Sequence, residues 1–145
     1  MALHLLKLCV GADSIRDLED WIKARLALAS LHGHVPEQIH TTRMMPRRAE
    51  ELLDGGSLFW VIKGQVAARQ KLQAIRPFTD PQGIGRCELV MQTDVIPVWP
   101  RPCRPFQGWR YLKPEEAPED FAKKIGESPD MPDTLRMELR EMGLL

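Results

Sequence analysis

The sequence is poor in the residues on which many recognisable functions depend. It has three cysteines in 145 residues, Cys9, Cys87 and Cys103, and no two of them form a C-x-x-C motif. An odd number of widely spaced cysteines favours a reduced protein over a disulfide framework. The sequence therefore predicts a cytoplasmic protein that folds without disulfides.

Long apolar runs and a net charge are absent as well. No stretch approaches the roughly eighteen apolar residues that cross a bilayer, and Lys7 places a charge in an N-terminal stretch that does not resemble a signal peptide. The 20 basic and 20 acidic residues cancel, so net charge gives no argument for a nucleic-acid or membrane partner. We expect one globular domain over residues 1–145, with no membrane partner.

The charges that are present are unevenly distributed. Residues 41–113 carry 12 basic and 6 acidic residues, whereas residues 114–145 carry 4 basic and 9 acidic residues. Seven of the nine aromatic residues also fall in the basic middle. Basic side chains beside exposed aromatic rings are what single-stranded nucleic acid binding requires. The alternative is that the aromatic rings fill the core while the basic side chains face solvent.

Hydrophobic periodicity predicts alternating strands and helices in the first half of the chain. The predicted elements are a strand at 3–10, a helix from Ser14 to Gly33, an extended segment at 38–44 and a short helix at 47–54. Ser14 is a candidate N-cap because Asp17 follows three residues later. Trp21 is interpreted as a core anchor of the first helix.

The second half predicts a sheet. Residues 57–63 form a continuous apolar strand, and residues 65–76 and 86–91 alternate, so residues 57–91 should supply at least three mutually paired strands of a curved sheet. The proline-rich residues 97–118 are predicted to form a strap over the sheet, and the acidic residues 119–145 a helical tail. The fold class is α+β, with a small strongly bent sheet or barrel and flanking helices.

Three histidines, His32, His34 and His40, invite a metal hypothesis. Zinc sites usually pair ligands more tightly on one face, with a third ligand nearby, and these histidines lack that spacing. No phosphate-binding loop, dinucleotide fingerprint or nucleophile motif is complete. We therefore expect neither a metal nor a cofactor.

Several long motifs carry a family resemblance: HTTRMMPRRAEELLDGGSLFWVIKG, IRPF, IGRCELV and RPFQGWRYLKPEEAP. Over nearly the whole chain these resemble the bacterial DUF1489 family, whose members have no known function. The resemblance supplies no activity.

A second resemblance, to EVE domains of the PUA-like superfamily, rests on the order of shorter segments. LLKLCV leads to Ser14 and Asp17, QIHTTRM follows, and LLDGGSLFWVIKG comes last. EVE domains are small α+β barrels that bind RNA or modified nucleobases. By this resemblance His40, Thr42 and Arg43 would line a ligand pocket, with Trp60 on the strand beside it.

The resulting hypothesis is a non-catalytic nucleic-acid or nucleobase binding module, monomeric or homodimeric. The candidate binding residues are Arg43, Lys63 and Arg69 for phosphate, His40 and Thr42 for a base edge, Trp60 or Trp109 for stacking, and Arg110 from the strap. Lys71 and Arg86 could extend the basic face of the sheet. Two alternatives stay open: an enzyme with a cleft around His40 and Arg43, and a protein-interaction module whose basic face docks an acidic partner.

Overall fold

The computed structural model describes residues 2–122 as one mixed sheet with two α-helices and a short 3-10 helix. In chain order the elements are β1 (His4–Leu8), α1 (Ile15–Leu31), β2 (Gln38–Thr42), α2 (Ala49–Leu53), β3 (Ser57–Ile62), β4 (Gln65–Thr79), β5 (Gly85–Met91), β6 (Ile96–Pro102), β7 (Trp109–Leu112) and the 3-10 helix (Pro114–Glu116). The strand order is β2-β5-β4-β3-β1-β7, with β6 paired to β4 outside that path. The predicted α+β class is confirmed, in the form of an open, strongly bent sheet.

The long strand β4 explains how one sheet curves so strongly. Ala67 has no register partner on β3, and Gln73 has none on β5. Such bulges bend a strand and increase its local twist. The first half of β4 therefore pairs with β3 and β6, and the second half pairs with β5. The three mutually paired strands predicted within residues 57–91 are confirmed as β3, β4 and β5.

Strand β3 is buried on both faces, which is why its sequence is continuously apolar. Leu58, Trp60 and Ile62 belong to the cluster beneath α1, whereas Phe59 and Val61 pack on the opposite side. The second cluster is completed by Leu6, Val66, Val98, Phe106 and Leu112. A single strand thus joins two cores.

Helix α1 begins as its sequence predicts. The Ser14 hydroxyl oxygen accepts a hydrogen bond from the Asp17 backbone N–H at 3.1 Å, and Ile15, Leu18 and Ile22 face the core. The prediction that Trp21 anchors the core is wrong, because its side chain is 41% exposed. Trp21 lies at the edge of the buried face of α1, and its ring packs over Gly11. Within residues 2–122 no helix is long and apolar enough to cross a membrane.

The proline-rich segment differs from its prediction. Residues 97–102 and 109–112 of this segment belong to β6 and β7, which pair with β4 and β1, so these parts extend the sheet and do not lie over it. Proline is tolerated in β6 because β4 is the one strand of residues 2–122 with which it pairs, and a strand at the edge of a sheet can leave backbone positions without a ladder hydrogen bond. The helical tail predicted at 119–145 lies almost wholly outside the described residues.

Gly56 fixes the approach of α2 to the sheet, which gives a stability prediction. Its N–H donates to the Leu52 carbonyl at 2.9 Å, and its carbonyl accepts from the Leu72 N–H at 3.0 Å. A Cβ atom at this position would lie 2.3 Å from the carbonyl oxygens of Leu3 and Leu52. Gly56→Ala should therefore lower the free energy of unfolding by about 1–3 kcal/mol, as measured by urea denaturation.

The control is Gly85→Ala, where a Cβ atom would meet nothing within 4 Å. We expect that change to stay within about 0.5 kcal/mol of wild type. Equal losses in the two variants would contradict the close approach at Gly56.

Candidate functional site

A cavity of about 120 Å³ opens between the end of β1, the side of α1 and strand β2. Its polar and aromatic lining consists of Lys7, Cys9, Trp21, Arg25, Gln38, His40 and Trp60, and its apolar lining of Leu8, Val10, Leu18 and Ile22. The cavity exists because the bent sheet brings its edge strand β2 to the helix that follows β1. Four separate elements, β1, α1, β2 and β3, therefore contribute to one site.

The inner wall of the cavity is aromatic and held in place by hydrogen bonds. Trp60 is 3% exposed, and its indole N–H donates to the Gln70 side-chain oxygen at 2.9 Å. The Gln70 amide nitrogen in turn donates to the Gln92 carbonyl at 2.9 Å. The His40 ring meets the Trp60 ring edge to face, with centroids 5.3 Å apart. These contacts within the protein hold the aromatic wall in place without a ligand.

The electrostatics of the cavity favour an anion. Among residues 2–122 its lining includes the cations Lys7 and Arg25 and no carboxylate, and neither cation forms an ion pair with another of these residues. Burial lowers the pKa of Lys7, which means that its charged form is under-solvated. An anionic group beside Lys7 would compensate for the lost hydration.

Two groups in the cavity that could act as nucleophile or base, Cys9 and His40, are poorly suited to either role near neutral pH. Burial raises the pKa of the Cys9 thiol to about 11, so the nucleophilic thiolate is scarce. Burial, together with the charges of Lys7 and Arg25, lowers the pKa of His40 to about 4. A general acid or base works best with a pKa near the operating pH, and His40 is far from it.

Of the residues predicted to share a ligand pocket, only His40 and Trp60 line this cavity. Thr42 is buried at the far end of β2, where its hydroxyl donates to the Met44 carbonyl at 3.2 Å. Arg43 lines a separate, shallow groove that also includes Phe78 and Arg86. In the part of the chain that the structure describes, His40 and Arg43 thus line two different cavities.

The predicted basic face is partly neutralised by ion pairs. The Arg69 guanidinium donates to both carboxylate oxygens of Asp120, at 2.8 and 2.9 Å, and to the Ser57 hydroxyl at 2.9 Å. The Arg86 guanidinium donates to Asp80 at 2.6 Å. Lys63 stands exposed in the turn between β3 and β4, with a φ of 50°, and Lys71 is exposed on β4.

The two candidates from the proline-rich segment lie on β7, outside the cavity. The Trp109 indole N–H donates to the Met44 carbonyl at 2.7 Å, and its ring meets that of Tyr111 edge to face. The Arg110 guanidinium lies 4.5 Å from the centre of the Phe106 ring. Both side chains already have partners within the fold.

Sequence reasoning missed five of the polar and aromatic cavity residues: Lys7, Cys9, Trp21, Arg25 and Gln38. Some signals were available. Arg25 follows Trp21 by four residues, which places both on the same side of a helix. Gln38 precedes His40 by two residues, which places both on the same face of a strand.

The remaining histidines lie apart from the site. His32 and His34 belong to the turn after α1, whereas His40 lines the cavity. In residues 2–122 no three His, Cys, Asp or Glu side chains come together to hold a metal ion. The expectation of no metal stays a prediction.

The fold and the cavity together define an α+β protein whose open, bent sheet holds a small cationic cavity with an aromatic wall. The chain belongs to the family described as Protein of unknown function (DUF1489), whose model matches residues 5–145. The predicted family is thereby confirmed. No curated protein and no solved structure matches the chain, so the likeness to EVE domains stays a prediction.

Proposed function

We propose that this protein is a non-catalytic module that binds nucleic acid or a nucleobase, and that the cavity between β1, α1 and β2 receives the base. One observation carries the proposal: two cations without ion-pair partners among residues 2–122, Lys7 and Arg25, stand beside an aromatic wall in one cavity. Cations contact phosphates, and flat rings pack against bases. This combination fits a nucleotide better than it fits a purely apolar ligand or a metal ion.

The surroundings of the cavity fit a ligand that extends beyond it. The Trp21 side chain lines the cavity and is still 41% exposed, so an indole surface is available at the rim. Arg43 and Phe78 form a second basic and aromatic surface beyond the end of β2. Together they would let a polynucleotide continue outside the cavity that holds one base.

Binding without catalysis accords with the chemistry of the lining. The Cys9 thiol and the neutral His40 ring are stable rather than reactive groups near neutral pH, given pKa values of about 11 and about 4. The likeness to EVE domains adds a PUA-like mode of ligand binding to the proposal. The unpaired cysteines support a cytoplasmic location, where thiols are kept reduced. The module would act as a monomer or homodimer.

A titration of a short fluorescent single-stranded oligonucleotide, followed by anisotropy, tests the proposal. Two phosphate contacts from Lys7 and Arg25 should make the logarithm of the affinity fall by about 1.4 per decade of salt, at roughly 0.7 per contact. The control is an oligonucleotide of equal length with abasic sites, which keeps every phosphate and should bind more weakly. Absence of binding at low salt, or equal binding of the abasic control, would overturn the proposal.

A further inference from the structure

Gln38 carries a polar group that the fold leaves without a partner. The residue is 5% exposed, and its side-chain oxygen is the one buried side-chain polar atom in residues 2–122 that lacks a hydrogen bond. A buried acceptor without a donor costs stability, and native proteins contain few of them. Gln38 lines this cavity and also a more open groove beside Gln73 and Gln92. Solvent in the open groove would already satisfy an acceptor that faced it, so a ligand in the cavity is the natural source of the missing donor.

The other polar side chains of the cavity determine which hydrogen-bonding groups the ligand must carry. Lys7 and Arg25 are donors only, and the Trp60 indole N–H is already bonded to Gln70. The neutral His40 ring provides one donor and one acceptor. The ligand must therefore present acceptors or negative charge to most of the cavity and at least one hydrogen-bond donor to Gln38.

The size of the cavity limits the ring. An apolar cavity of roughly 150 Å³ holds one benzene molecule, and this cavity measures about 120 Å³. Because the cavity is smaller than this but open at its mouth, one six-membered ring can enter it with its outer edge left at the opening, whereas the second ring of a purine has no room inside. Among the bases this selects the pyrimidines.

We infer that the cavity binds an unpaired pyrimidine and that the Gln38 amide reads its Watson–Crick edge. Uracil offers the N3–H donor beside a carbonyl acceptor, and cytosine offers the N4 amino donor beside the N3 acceptor. One side-chain amide can pair with either arrangement through its oxygen and its NH₂ group. A base whose Watson–Crick edge is occupied in a duplex cannot make this contact, so the ligand is single-stranded nucleic acid or a free nucleotide. This inference rests on the proposed function.

The test compares short oligouridine with a strand of equal length in which every uridine is replaced by 3-methyluridine, a base that lacks the N3–H donor. We expect the wild-type protein to bind oligouridine at least about 10-fold more tightly than the methylated strand, since a buried unpaired partner is penalised. A strand with 5-methyluridine, methylated away from the Watson–Crick edge, should bind within about 3-fold of oligouridine. Oligoadenosine should bind more weakly than oligouridine.

The Gln38→Leu variant separates recognition from folding. Removing an unpartnered buried amide should leave the protein folded, with an unfolding temperature equal to or above that of wild type. The variant should bind uridine and 3-methyluridine strands about equally. Gln65→Leu at the start of β4, an exposed position that lines neither this cavity nor the groove beside Gln38, is the matched control and should keep the wild-type preference.

The outcomes distinguish this inference from the proposed function. Tight binding of oligouridine with no effect of N3 methylation, or an unchanged preference in Gln38→Leu, would overturn the role of Gln38 and leave nucleic-acid binding intact. Failure of every strand to bind would overturn both. Uridine monophosphate titrated in parallel distinguishes a free nucleotide from a strand, and dependence on Gln38 supports the inference with either ligand.

Discussion

Replacing both Lys7 and Arg25 with glutamine should weaken the binding of single-stranded nucleic acid by at least about 100-fold. A hydrogen bond to a charged group contributes about 1.5–3 kcal/mol, which corresponds to roughly 10- to 150-fold in affinity for each cation. Lys7 is partly buried and Arg25 is exposed at the cavity mouth, so the larger share should come from Lys7. Fluorescence anisotropy at fixed low salt measures the loss.

The double variant should also lose about 1.4 from the salt slope, because two phosphate contacts disappear. Its stability should not fall, since burial already disfavours the charged form of Lys7 and lowers its pKa. The matched control replaces Arg16 and Lys23, two exposed cations of α1 that do not line the cavity. Equal losses of affinity in the two double variants would show that the cavity cations have no special role.

His40 should make the stability of the protein depend strongly on pH. Its pKa is lowered from 6.5 to about 4, first by burial and then by the charges of Lys7 and Arg25. Above about pH 6.5 the His40 ring is mainly neutral in both the folded and the unfolded chain, so its titration takes nothing from the free energy of unfolding. As the pH falls from 6.5 toward 4, the unfolded chain binds a proton that the folded chain does not, so stability is lost. The loss should reach at most about 3 kcal/mol near pH 4.

Urea denaturation at a series of pH values isolates this effect when wild type is compared with His40→Phe, which keeps a ring against Trp60 but cannot titrate. Burial also lowers the pKa of His4, and that contribution is present in both proteins and cancels in the difference. His34→Gln, in the exposed turn after α1, should behave as wild type. A parallel pH dependence in wild type and His40→Phe would contradict a buried, neutral His40.

Much of the fold is predictable because local patterns decide it. The serine cap fixes the start of α1, and the apolar segment of β3 identifies a strand buried on both faces. The proline-rich segment defeats prediction because β6 and β7 are held by β4 and β1, which lie far away in the sequence. A high proline content shows that a strand would lose some of its backbone hydrogen bonds. It does not show whether a strand far away in the sequence pairs with the segment.

The site is less predictable than the fold, and the reason is geometric. Strand periodicity places Gln38 beside His40, but it does not show that β2 approaches α1 across the bent sheet. The bend depends on bulges at Ala67 and Gln73, and single residues that interrupt a ladder leave no clear mark in the sequence. The predicted resemblance to EVE domains pointed to His40 and Trp60, which line the cavity, and also to Thr42 and Arg43, which do not.

The four tryptophans allow the most direct test of base binding in the cavity, through their indole N–H signals in a nitrogen-15 NMR spectrum. Trp21 and Trp60 line the cavity, whereas Trp99 and Trp109 lie outside it, and single Trp→Phe variants assign the signals. Adding a short oligouridine should shift the signals of Trp21 and Trp60 while that of Trp99 stays in place. Shifts confined to Trp99 or Trp109 during saturable binding would contradict the account, because the nucleic acid would then be bound elsewhere on the protein.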